Sequence, residues 1–255
     1  MKFKLFLLTI FSIHCSIAVS QNVSFSPRLI SFRNTRVSPT FNIQLNLPGT
    51  FIGKKPDDYK IIGGGGASIG LGLDIYSPNS IIGIYSEVNY CISSFGIQNN
   101  QSLIDSFKVS YFVIPLYLKF RLGAKDSPKH FWLALGGSIN FPLACERNLF
   151  DGSALLWTDK DEKQMVSIYK SLSTIIAYEA FKNEDYSGLR IVIFLSADYK
   201  LDNILNTSYT GLDEGDLTTG NPKSIGKYDE IIFKDIVYCF GLKLLFKTRS
   251  KSKSQ

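Results

Sequence analysis

Histidine is nearly missing, with two residues in a chain of 255, and one of them, His14, falls in an apolar N-terminal stretch. A Ser–His–acid triad or a histidine metal cluster could draw only on His130, which argues against both. Cysteine is also scarce. Cys91, Cys145 and Cys239 follow the N-terminal stretch, an odd number at wide spacing with no Cys-x-x-Cys pair, so neither a disulfide framework nor a thiolate metal site is indicated. Beyond the N-terminus no run is apolar over the roughly 20 residues a transmembrane helix needs. The glycine run at 63–66 lacks the lysine and helix of a phosphate loop and reads as a flexible approach to a strand. No cofactor, no metal and no catalytic residue is expected.

What the chain has is apolar and aromatic content, 45% and 13%, with only 20% charge, enough for one sizeable domain and unlike a disordered polymer. Its formal charge of +6 is confined to the ends. Lys2 and Lys4 open the sequence, and Lys247, Arg249, Lys251 and Lys253 nearly close it. Setting those six aside leaves 22 basic against 22 acidic residues. A neutral body is a poor match for a polyanion, so no nucleic acid is expected as a partner.

The first residues have the layout of a secretory signal peptide. Two lysines precede an apolar run over about residues 5–13, and Ala18 and Ser20 place small side chains before a cut at Gln21. The run is too short for a membrane anchor. Cys15 invites a lipoprotein reading, but His14 stands where such a signal needs a small residue.

Strict alternation dominates the rest, the mark of strands with two unlike faces. Phe41, Ile43, Leu45 and Leu47 alternate with Asn42, Gln44 and Asn46. Ala67, Ile69, Leu71, Leu73 and Ile75 alternate with Ser68, Gly70, Gly72 and Asp74. Six further runs follow, over about 82–90, 111–121, 131–141, 167–181, 189–201 and 235–246, the sixth of the eight being the weakest. Most run to about a dozen residues, longer than the five or six usual in soluble sandwiches and matched to the 9–11 that cross a bilayer. One face is almost continuously large and aliphatic; the other is Gly, Ser and Ala with single charges. That asymmetry predicts an eight-stranded antiparallel up-and-down transmembrane β-barrel with its aliphatic face toward lipid.

Connection lengths support this. Those near 77–80, 124–129 and 182–188 are short, while 98–108, 145–166 and 203–230 read as longer loops on the opposite, external side. An even strand count puts both termini in the periplasm. Phe120, Phe131 and Phe246 form one outward aromatic belt, and Tyr90, Phe112, Phe141, Tyr199 and Tyr238 the other. Inward fall Asp74, Glu87, Glu179, Asp198 and Asp235 with Lys119, Arg121, Arg190, Lys200 and Lys243. These read as a paired network filling the lumen, with an ion or proton path as the alternative. Glu179 and Arg190 flank one short turn and are expected to lie opposite one another.

SEVNY at 86–90 followed by YFVIPLYLKFRLG at 111–123 resembles the PorT-like outer-membrane β-barrel family of Gram-negative bacteria. GLKLLF at 241–246 is similar to the terminal signal read by the barrel-assembly machinery, here followed by nine further residues. The expected division is a signal peptide (1–20), a periplasmic lead-in (21–39), the barrel (40–246) and a basic periplasmic tail (247–255). The resemblance implies an outer-membrane, non-enzymatic protein, an accessory of envelope assembly or secretion acting through its external loops. Outer-membrane lipid, the assembly machinery and other envelope proteins are its expected partners. A narrow solute channel and a lipid-modifying enzyme are the alternatives.

Overall fold

A computed structural model describes residues 36–51, 59–76, 81–99, 103–122, 130–151, 154–159, 166–182, 189–204 and 234–246. The expected signal peptide, the lead-in up to residue 35 and the basic tail lie outside the described residues, as do residues 205–230 of the third long connection. Every regular element described is a strand: β1 (Arg36–Phe51), β2 (Tyr59–Tyr76), β3 (Ile82–Asn99), β4 (Leu103–Leu122), β5 (His130–Asp151), β6 (Ala154–Asp159), β7 (Tyr169–Lys182), β8 (Leu189–Lys200) and β9 (Asp235–Phe246).

The ladders are antiparallel throughout and close into a ring. β1 to β5 pair in sequence, β5 pairs with β7, and β7, β8 and β9 follow in turn. Pairing of β9 with β1, from Thr40↔Leu245 to Phe51↔Asp235, closes the barrel at eight strands. Closure leaves the ring no free edge over that span, which is why such a sheet can stand in hydrocarbon. β6 stands outside the ring, paired only with the far end of β5.

The alternation read from the sequence is the inside–outside pattern of this wall. Leu71, Leu116 and Leu195 are 67%, 61% and 57% exposed, whereas Asn42, Ala134 and Lys243 are essentially inaccessible. An aliphatic exterior around a polar interior is the reverse of a soluble barrel and belongs against lipid. Aromatics mark its rims: Phe131 packs on Tyr178 with ring centroids 4.7 Å apart near the end bearing residues 36 and 246 (the terminal end). Tyr90 meets Phe112 edge-on at 5.7 Å toward the opposite loop end.

The long connections differ from expectation. Much of 98–108 is strand, since β3 runs to Asn99 and β4 begins at Leu103. The segment 145–166 contains the end of β5 and all of β6. The reason is that the period-two pattern continues past the length that spans a bilayer. Ile97, Asp105, Phe107 and Val109 all point inward and are buried. β4 and β5, at 20 and 22 residues, therefore stand well beyond the hydrophobic band.

Candidate functional site

The lumen is the candidate site, and it is built in three levels. At the terminal end lies a floor of ion pairs and rings. Lys119 Nζ is 2.7 Å from Asp74 Oδ2, both side chains buried, and 4.5 Å from the centre of the Trp132 ring. The pair reaches from β4 to β2 across β3, where Gly83 is Lys119's ladder partner. Lys243 Nζ sits 3.5 Å above the Tyr85 ring and 3.7 Å from Glu87 Oε2, with Phe194 and Trp132 closing its other sides. Glu87 also accepts from Asn89, at 2.8 Å, and from Asn42, which donates in addition to Asn89 Oδ1 at 2.9 Å. Arg121 and Arg190 both lie over the Tyr76 ring, at 4.1 and 5.1 Å from its centre.

Small residues on β2 make this packing possible. A Cβ on Gly70 would fall 1.7 Å from Asn89 Oδ1, and one on Gly72 would fall 2.4 Å from the Ser86 carbonyl oxygen and 2.6 Å from Glu87 Cβ. The glycine-bare inner face of β2 is where the long side chains of β3 lie. Large opposite small is how an eight-stranded interior is filled.

Above the floor is a polar chamber of about 40 Å³, lined among others by Asn46, Asn89, Ser173, Asp198, Lys200 and Cys239. Its β5–β7 wall is a hydroxyl and amide cluster: Ser138 Oγ and Ser171 Oγ are 2.5 Å apart, and Asn140 Nδ2 donates to Ser171 Oγ at 3.2 Å. Lys200 Nζ pairs with Asp235 Oδ1 at 3.0 Å on the loop side. Cys91, Cys145 and Cys239 are all buried.

The loop end is closed by an apolar layer. Phe95 stacks on Phe107 at 4.9 Å, and Ile97, Val109, Tyr169 and Ile204 pack with them. Within that layer Arg147 makes a forked pair with Asp105, Nε at 2.9 Å and Nη2 at 2.5 Å. Bidentate geometry compensates the removal of two charges from water better than a single contact.

Eight of the ten expected inward charges are joined in four pairs, Asp74 with Lys119, Glu87 with Lys243, Glu179 with Arg190 and Asp235 with Lys200, of which only Glu179–Arg190 is expected as a specific pair. Arg121 rests on Tyr76, and Asp198 Oδ2 accepts from the Cys239 thiol at 3.6 Å. The Arg147–Asp105 pair is not among the expected inward charges, because both residues fall in stretches that read as loops; the uninterrupted alternation from Asp105 to Tyr111 is the signal for it. His130 opens β5 opposite Glu179 in the ladder, and its side chain is outside the described set. Among the described residues no three His, Cys, Asp or Glu are grouped to hold a metal ion.

The Glu179–Arg190 contact holds, but not by the expected register. Glu179 faces Val192 in the ladder and Arg190 faces Lys182, because a β-bulge intervenes between Glu179 and Phe181. The guanidinium reaches back diagonally to Glu179 Oε1 at 3.3 Å and donates to Ser38 Oγ at 3.3 Å. With these alternatives for Arg190, Glu179→Ala should cost only about 1 kcal/mol in urea unfolding. A double-mutant cycle with Arg190→Ala should show coupling; strictly additive effects would mean that the two side chains do not meet in solution.

No protein-family model matches the chain, and no curated protein matches it. Solved structures do resemble it. The chain is similar to the outer membrane protein OprG from Pseudomonas aeruginosa, at 12% identity and a TM-score of 0.48 over 84% of this chain and 97% of that one. It is similar to Neisserial surface protein A at 11% identity and a TM-score of 0.40, covering 84% and 97%. It is also similar to Ail, the attachment invasion locus protein of Yersinia pestis, at 13% identity and a TM-score of 0.36, covering 84% and 99%. The fold is an eight-stranded barrel of the outer-membrane type. That statement rests on the closed ring of ladders and the inside–outside pattern, and these distant likenesses add nothing about ligand or activity.

Proposed function

We propose that the protein is a non-enzymatic outer-membrane barrel that serves as a structural or accessory component of an envelope assembly or secretion complex, through the strand extensions at its loop end. The observation that carries this reading is the filled lumen. Ion pairs and rings occupy one end, an apolar layer occupies the other, and the chamber between them measures about 40 Å³. A barrel so filled offers its surfaces rather than its interior, and β3, β4, β5 and β6 carry the largest projecting surface. The PorT-like motif at 86–90 and 111–123 supports an envelope accessory role. In this reading both termini are periplasmic, the assembly machinery inserts the chain, and the partners are outer-membrane lipid and other envelope proteins.

The protein should fractionate with outer membranes, and unboiled samples should migrate differently from boiled ones on SDS gels. In planar bilayers the purified protein should carry no current above leak. Photo-crosslinkers placed on the outward face of the β4 and β5 extensions should trap a defined envelope protein in intact cells, while the same groups on the lipid band should not. Discrete conductance steps would instead favour the narrow-channel reading, whose physical basis is the chamber itself.

A further inference from the structure

Among the described residues one inward acid, Asp198, stands outside the ion pairs of the lumen. Asp74, Glu87, Asp105, Glu179 and Asp235 each pair with a lysine or arginine inside the barrel. Asp198 forms no ion pair among the described residues; it accepts from the Ser173 hydroxyl and, at 3.6 Å, from the Cys239 thiol. Lys200 lines the same chamber, but its ammonium is bound to Asp235, so two carboxylates share one positive charge there. On the terminal side Glu87 and Lys243 cancel. Among the described residues the chamber thus holds one carboxylate more than its ion pairs compensate, a costly arrangement away from bulk water.

A second feature points the same way. Asn46 is only 6% exposed and lines this chamber, and its Oδ1 atom has no hydrogen-bond partner. Asn46 lies opposite Cys239 in the β1–β9 ladder, and Cys239 is the residue whose thiol meets Asp198. Ser173, buried and directly opposite Asp198 in the β7–β8 ladder, adds a hydroxyl oxygen. Carboxylate, amide carbonyl and hydroxyl oxygens are the donor set of a hard cation.

We propose that the chamber binds a single alkali-metal cation, Asp198 supplying the charge and Asn46 Oδ1 and Ser173 Oγ neutral oxygens. One positive charge balances the chamber, whereas a divalent ion would overshoot it. About 40 Å³ admits one ion with a water or two. The wall also supplies an approach. Pairing of β1 with β2 stops at Asn46↔Gly66, and a second hollow of about 20 Å³ lies beside that parting, lined by Leu47, Gly63 and Gly64. Lys200 and Val237 line both hollows, joining the parting to the chamber.

The test is thermal unfolding of the full mature protein in detergent, with sodium or potassium chloride exchanged for choline chloride at constant ionic strength. Constant ionic strength removes general screening, and a site specific to the folded barrel raises its midpoint saturably with the ion that binds. The midpoint should rise with sodium or potassium and not with choline. Asp198→Asn should abolish that difference. Asn46→Leu, which keeps the carboxylate, should raise the half-saturating concentration at least tenfold. Equal midpoints in all three salts would overturn the proposal and leave the chamber holding water, with the carboxylate neutralised by a proton. Retained cation dependence in Asp198→Asn would place the ion elsewhere. Should Asp198→Asn fail to fold, an unchanged half-saturation in Asn46→Leu would overturn it equally.

Discussion

Asp74→Ala is expected to remove about 3–5 kcal/mol of stability, because it strands Lys119 as an unpaired charge in the barrel interior. Lys119 is 2% exposed and Asp74 1%, so neither has water to fall back on. The Trp132 face, 4.5 Å from the ammonium, offsets part of the loss and sets the expectation toward the lower end. Lys119→Met added to Asp74→Ala should recover most of it, since deleting a buried pair costs less than breaking it. Urea unfolding in detergent micelles reads both. A loss no larger than that of Glu179→Ala would mean that the floor of the lumen is hydrated and that the pair is screened.

Gly72→Leu should prevent folding, while Leu71→Phe beside it should fold normally. Gly72 points inward, where even a Cβ would lie 2.4 Å from the Ser86 backbone oxygen, so a leucine can be housed only by forcing β2 and β3 apart. Overpacking a well-filled interior costs about 1–3 kcal/mol when side chains alone must move, and more when backbone must. Leu71 is 67% exposed on the lipid face and has room for a larger ring. The folded, heat-modifiable gel form is the readout. A folded Gly72→Leu protein would show that the inner face of β2 is not packed against β3 as described.

Which face of each strand looks inward was legible in the sequence, because a single residue step reverses the side. Ile43, Leu45 and Leu47 on one side and Asn42, Gln44 and Asn46 on the other leave one register possible. Where strands end was less legible. The reading stopped each strand near the length that crosses a bilayer, although Ile97, Asp105, Phe107 and Val109 keep the same alternation beyond it. Partners across the lumen were not legible either. Lys119 reaches Asp74 over the intervening strand β3, and Arg190 reaches Glu179 across a bulge that no local residue announces. The chamber depends on the same three-dimensional facts. Asn46, Ser173 and Asp198 come from β1, β7 and β8, and only closure of β1 onto β9 brings them to one cavity.

Site-directed spin labelling along residues 112–119 of β4, in a background lacking Cys91, Cys145 and Cys239, tests the central claim most directly. With the protein in lipid bilayers, collision with dissolved oxygen should be high at Phe112, Ile114, Leu116 and Leu118, which face the hydrocarbon. Labels at Val113, Pro115, Tyr117 and Lys119 should be shielded from oxygen and from a water-soluble nickel reagent alike, because that face meets a closed, filled lumen. Nickel collisions at those four positions would reveal an open aqueous pore, and a pattern shifted by one residue would mean that the barrel is inside out; either result would contradict the account.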